Sequence, residues 1–120
     1  MTNLIVSLIA CLVNIESGGD PRALGDYKNG EPRAVGILQM WPCAVDESNR
    51  IAGRKLWVYE DRLEPMKAKA MAFTTLRFHY MRGATDPIEL GCKWNTPYGK
   101  VSERYREKVK AEWRRTRSSG

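Results

Sequence analysis

The sequence has a single histidine, His79, among 120 residues. That supports neither a histidine-rich metal site nor a serine–histidine–aspartate set. It has three cysteines, Cys11, Cys43 and Cys92. An odd number cannot close a disulfide framework, and no two of them stand at a zinc-binding spacing. All three are expected to be reduced and packed as small apolar residues, as in a chain that folds in a reducing cytosol. No stretch approaches the ~20 apolar residues that span a bilayer. There is no phosphate-cradling glycine loop, no dinucleotide fingerprint, no internal repeat and no linker. No cofactor or metal is therefore expected.

The composition is that of a globular chain, with 42% apolar and 28% charged residues. Two Phe, five Tyr and four Trp provide bulk for one small core, so residues 1–120 are read as a single domain. The net charge of +6 is unevenly spread. Residues 100–120 hold eight Lys/Arg against three Glu, whereas residues 1–99 hold twelve against eleven acidic residues. The body is close to neutral and the C-terminal end is basic. Such a tail favours polyanions in general, and without a reader helix interleaved with aromatics it does not indicate nucleic acid. Residues 114–120, beyond Trp113, are expected to form a flexible basic tail that binds an anionic cell envelope.

Leu4 to Val13 is a ten-residue apolar run, and Leu8-Ile9-Ala10-Cys11 has the form of a lipoprotein cleavage box. Met1-Thr2-Asn3 supplies no side-chain positive charge, so the run is read as a buried first helix and not as an export signal. Leu4, Ile5, Leu8, Ile9 and Leu12 fall at helical spacing, with Thr2 or Asn3 as the cap.

Gly18-Gly19 and Pro21 end that helix. Two short apolar pieces around Asn29-Gly30 predict a small hairpin. A second helix is expected over Pro42–Ile51. A third starts near Asp61 and ends at Gly83, with Met66, Ala70, Phe73, Leu76 and Tyr80 on its apolar face and His79 at or near the surface. A short helix follows from Asp86-Pro87 to about Trp94. The last helix carries Val101, Tyr105, Val109 and Trp113. The class is mainly α, with one small β element.

Glu16 closes an otherwise apolar helix. Burial against Leu12 and Val13, and the negative pole of the helix, would both raise its pKa. A carboxylic acid still protonated near neutral pH can protonate a leaving oxygen. Asp26, ten residues later in the hairpin, is a second carboxylate able to face Glu16 across a cleft. Asp46 and Glu47 are expected to face solvent.

Three stretches stand in order, the first beginning with this acid: Glu16-Ser17-Gly18-Gly19, Gly36-Ile37-Leu38-Gln39, and Trp94-Asn95 followed by Tyr98-Gly99. Together they resemble the lysozyme-like superfamily, in particular soluble lytic transglycosylase domains, over about residues 4–113. The resemblance implies a helical, lysozyme-like fold with a cleft. It also implies cleavage of the β-1,4 bond between N-acetylmuramic acid and N-acetylglucosamine in peptidoglycan. Glu16 matches the catalytic acid and Ser17 its neighbour. Gly36 and Gln39 match the substrate groove, with Gly36 letting a sugar approach the backbone. Asn95 matches an amide that bonds the glycan or the acid, and Tyr98 is assigned to the glycan with them. Lys93-Trp94 departs from the family's usual Ala-Tyr.

Asp26 resembles the second acid of phage-type and invertebrate-type lysozymes, so a transglycosylase and a muramidase both remain open. The alternative is a lysozyme-like wall-binding or structural module that has lost catalysis. The expected partner is the peptidoglycan glycan strand, and the protein is expected to be a monomer. A phage endolysin or virion-associated lysin, made in the cytoplasm and acting on the bacterial wall, fits the small size and the basic tail.

Overall fold

The computed structural model describes residues 1–118. Helix α1 runs Thr2–Ser17, strands β1 Leu24–Lys28 and β2 Glu31–Val35 form a hairpin, and α2 spans Pro42–Ala52. A 3-10 turn at Tyr59–Leu63 leads into α3, Pro65–Met81. Helices α4, Pro87–Asn95, and α5, Glu103–Ser118, complete the order. The fold is mainly helical with one two-stranded antiparallel hairpin. No helix among the described residues is long and apolar enough to cross a membrane.

The core forms where α1, α3, α4 and α5 meet. Ile5, Leu8, Ile9, Cys11 and Leu12 are buried on α1, and fully burying a large aliphatic side chain contributes about 1.5–3 kcal/mol. Gly91 of α4 permits a close approach. A β-carbon there would lie 2.8 Å from Val109 Cγ1 on α5 and 3.2 Å from Leu8 Cδ1 on α1. At its start α1 is not capped by Thr2 or Asn3. The Met1 carbonyl accepts the first helical bond from Ile5 N–H, which draws both residues into the first turn, and no side chain caps it. By contrast Asp86 does cap α4, its Oδ2 accepting Glu89 N–H at 3.0 Å.

The buried face of α3 also differs from the expected one. It comprises Ala68, Met71, Ala72, Thr75, Leu76 and His79, whereas Met66 is 72% exposed and Ala70 is exposed. Leu76 is buried as expected, and Phe73 and Tyr80 are partly buried against the core, so the buried stripe is the expected one widened toward its small residues and His79. This helix packs against α1, α2 and α4 together, and small residues allow that close approach. His79 is consequently buried, its ring edge-on to Phe78 and Tyr98 at 5.3 and 5.7 Å. Burial pushes its pKa down, as do Lys93 and two arginines, against a smaller opposing effect of Glu47. Cys11 and Cys92 are buried, but Cys43 is exposed at the start of α2.

The segment after Trp113 was expected as a flexible tail. It continues α5, with Thr116 Oγ1 3.6 Å from Cys11 Sγ and the Arg117 guanidinium 4.1 Å from the Trp113 ring centroid. Arg114, Arg115 and Arg117 are good helix formers and help carry the helix past Trp113. Residues 119–120 of the expected tail lie outside the described residues.

The hairpin has a two-residue Asn29-Gly30 turn, and both residues adopt positive φ, as a type I′ turn requires. It is anchored to the body by Arg62. One guanidinium nitrogen, Nη1, donates to the carbonyls of Arg33 at 3.1 Å and Met40 at 3.0 Å. Gly36 sits directly against this anchor. A β-carbon on Gly36 would lie 2.0 Å from the Arg62 carbonyl oxygen, and its φ is 84°. Gly36→Ala should therefore destabilise by at least about 3 kcal/mol, through strain plus an unavoidable backbone clash. Gly53→Ala is equally left-handed, but nothing lies within 4 Å of its added carbon, so it should cost only about 1–2 kcal/mol. Equal losses in urea unfolding would show that the Arg62 contact does not constrain the turn.

Candidate active site

A cleft of about 520 Å³ opens between the hairpin, α2 and α4, and Glu16 lies on its wall. Glu16 occupies the last turn of α1. Gly18 closes that turn in the left-handed conformation, φ 66°, with its N–H directed to the carbonyls of Val13 and Asn14. The carboxyl is half-buried. Burial raises its pKa most, and the charge of Asp26 adds to the rise. The Tyr105 hydroxyl and the charge of Lys108 act against it. Tyr105 O–H donates to Glu16 Oε2 at 2.7 Å. The Tyr105 hydroxyl is itself held far above its usual range, first by burial and then by Glu16, so it remains a donor at any relevant pH.

Five of the seven residues singled out from the sequence line this cleft: Glu16, Asp26, Gln39, Asn95 and Tyr98. Ser17 and Gly36 stand behind it. Ser17 Oγ donates to the Ile37 carbonyl at 2.7 Å and accepts Gly19 N–H at 3.1 Å. It thus pins the end of α1, and Glu16 with it, to the turn after β2. Gly36 makes room for the Arg62 backbone, a close approach to the protein's own chain.

Gln39 has φ 48°, and its amide N–H groups go to the carbonyls of Ala23 at 2.9 Å and Gly36 at 3.1 Å. Its Oε1 lies 2.6 Å from where a β-carbon on Gly25 would stand. The amide holds the loop shut around the hairpin base, and with both N–H bonds engaged its donor capacity is largely used internally. Asn95 is exposed, with Oδ1 accepting from Thr96 Oγ1 at 2.8 Å. Tyr98 is 66% exposed, and its hydroxyl accepts from Arg50 at 3.0 Å. Lys93 and Trp94, where the sequence departs from the family pattern, also line the cleft.

Asp26 has φ 52°. Its Oδ2 accepts the Trp41 indole N–H at 2.9 Å.

Three participants were not singled out in the sequence. Tyr105 stood on the expected core stripe of the last helix, and its hydroxyl carried no separate signal. Trp41 follows Gln39 by two residues and lines the cleft. Glu47 was expected in solvent beside Asp46. Asp46 is exposed and accepts from Tyr59, whereas Glu47 faces the cleft and pairs with Arg50. That bond, more than any other effect, holds its carboxyl below the usual range. The i, i+3 spacing of Glu47 and Arg50 was the available signal.

A half-buried acid with a raised pKa, next to an open groove lined by aromatic and amide side chains, can protonate a leaving group on a bound polymer. Among the described residues, no group of three or more His, Cys, Asp or Glu is placed to hold a metal ion.

No curated protein and no solved structure gives a significant match to the chain. The family model for the transglycosylase SLT domain matches residues 1–114. With nearly the whole chain inside that match, and with the cleft built around the acid at the end of the first helix, the protein belongs to the transglycosylase SLT domain family.

Proposed function

We propose that the protein is a lytic transglycosylase that cleaves the β-1,4 bond between N-acetylmuramic acid and N-acetylglucosamine in peptidoglycan. The family supports the substrate class. The observation that carries the mechanism is the half-buried Glu16 carboxyl held by Tyr105 at the wall of the cleft. In the protonated form favoured by burial, Glu16 gives its proton to the glycosidic oxygen as the bond from that oxygen to the muramoyl C1 breaks. The resulting carboxylate then takes the proton of the muramoyl 6-hydroxyl as its oxygen bonds to C1. The products are a 1,6-anhydro end and a free hydroxyl, no water is consumed, and Glu16 returns to its starting state. One acid suffices.

The competing reading is hydrolysis with Asp26 as the second carboxylate. It is favoured by the presence of both acids in one cleft and by the effect of Asp26 on the Glu16 pKa. Against it, Asp26 already accepts the Trp41 indole N–H. Mass spectrometry of muropeptides released from purified sacculi separates the two. Anhydro ends are expected, reducing ends would mean hydrolysis, and no release would reject both.

The reading extends to where the protein acts. Arg104, Lys108, Arg114 and Arg117 are exposed on α5, which supports attraction to anionic wall or envelope polymers by a phage-encoded or released lysin. Lysis of whole cells should then weaken as added salt shortens the Debye length to below ~8 Å, with turnover of soluble, peptide-free glycan chains much less affected. Parallel salt dependence in the two assays would remove the role of α5.

Glu16→Gln keeps the shape but cannot donate the proton. Release of muropeptides should fall by at least ~10²-fold, while circular dichroism shows the fold retained. Near wild-type release from this variant would reject Glu16 as the acid.

Because the protonated form is the active one, kcat/KM should fall as pH rises through the Glu16 pKa. That limb should lie above the ordinary glutamate value of 4.5. Tyr105→Phe removes a bond that favours the ionised form, so the limb should move to higher pH. A limb that moves down or stays fixed would mean that Tyr105 does not set the acidity of Glu16.

A further inference from the structure

Trp41 joins the Gln39 turn to α2 and is 36% exposed in the cleft. Its indole is gripped from the hairpin at two points. The N–H donates to Asp26 Oδ2 at 2.9 Å, and the Arg33 guanidinium carbon stands 4.1 Å from the ring centroid. The grip is itself closed, because Arg33 Nε–H donates to the Asp26 carbonyl at 3.2 Å.

The hairpin is built to allow this. Gly25 pairs with Ala34 and Tyr27 with Pro32 in one continuous register. Asp26 and Arg33, opposite each other in that register, are joined through the arginine side chain. Asp26 takes a left-handed φ of 52° inside the strand. Backbone strain of this kind persists only where its surroundings fix it, and it often marks a function. Here it accompanies a carboxylate held on an indole that lines the groove.

An indole fixed in a groove presents an electron-rich face. The face of a pyranose ring that carries its C–H bonds is apolar and weakly electropositive, and is its natural complement. We propose that Trp41 is a stacking platform for one pyranose ring of the bound glycan, with Asp26 and Arg33 as its clamp. Asp26 is then a positioning residue and not a reacting carboxylate. This inference rests on the glycan-cleaving function above and adds to it a binding subsite and a role for Asp26.

Two measurements test it. Binding is followed in the Glu16→Gln background by titrating a soluble N-acetylglucosamine oligomer against tryptophan fluorescence and the indole N–H resonances. Turnover is followed in the Glu16 enzyme on soluble, peptide-free glycan strands. Trp41→Ala should raise Kd and KM by about tenfold or more, with a smaller change in kcat. Trp41→Phe, which keeps a ring but loses the N–H, should fall between wild type and Trp41→Ala.

Asp26→Ala should move the Trp41 indole resonance and raise KM by about fivefold. Its effect should largely vanish when Trp41 is already alanine, as for coupled residues. Asp26→Asn, whose amide oxygen still accepts the N–H and whose backbone tolerates positive φ, should recover most of the KM loss.

A collapse of kcat in Asp26→Asn with KM unchanged would make Asp26 a reacting carboxylate and overturn the proposal. Trp41→Ala and Trp41→Phe binding and turning over like wild type would remove the platform while leaving the lytic function standing. A wild-type protein that neither binds the oligomer nor releases muropeptides would take the lytic reading down, and this one with it.

Discussion

The hydrogen bond from Tyr105 to Glu16 joins two helices 89 positions apart in the chain, and the site depends on it. Burial alone would make Glu16 a weaker acid, and its carboxyl would be left without a partner. The tyrosine hydroxyl satisfies one carboxyl oxygen, fixes its direction and moderates the rise in pKa. It does so because α5 packs against α1 along its length, with Val109 in the core and Asn14 bonded to Glu112. Acidity and geometry at the cleft therefore follow from helix packing, and neither is local to the Glu16-Ser17 stretch.

The opposite wall obeys a different constraint. The hairpin is two strands of five residues, too little to be stable alone. It is held by one arginine on two carbonyls, one glutamine on two more, and a glycine that leaves room for the arginine's own backbone. Ser17 connects this assembly to the acid. Ser17, Gly36 and Gln39 thus help to hold the protein's own loops.

That distinction explains what could be read in advance. Helix order and the hairpin follow from local signals: the Gly18-Gly19 stop, the Asn29-Gly30 turn, Pro42 and Asp86-Pro87 at helix starts. Glu16 was visible because a charge at the end of an apolar helix is costly and so informative. The partners of that charge were not visible. Tyr105 and Val109 share the same spacing in α5, and nothing along the chain separates a tyrosine that only packs from one that also donates to Glu16. The α3 face was read only in part: Leu76, Phe73 and Tyr80 pack at the core as expected, whereas Ala68, Ala72 and Thr75 are core residues through closeness of approach and not through size. The basic end was read as a tail from its charge, whereas helix propensity and the Thr116–Cys11 contact carry the helix through it. Gln39 lines the cleft and Gly36 does not, and what the two touch depends on Arg62 and Ala23, far away in the chain.

The distance in sequence between Glu16 and Tyr105 also orders events in time. A ribosome makes the acid first and its hydroxyl partner 89 positions later. At roughly 5–20 residues per second, the emerging chain carries Glu16 for several seconds before α5 exists to bury or orient it. During that interval α1 is an apolar segment without its packing partners, and the carboxyl is an ordinary solvated one. An unfinished chain has the acid but lacks the surroundings that tune it, so the acidity belongs to the completed fold and not to the motif.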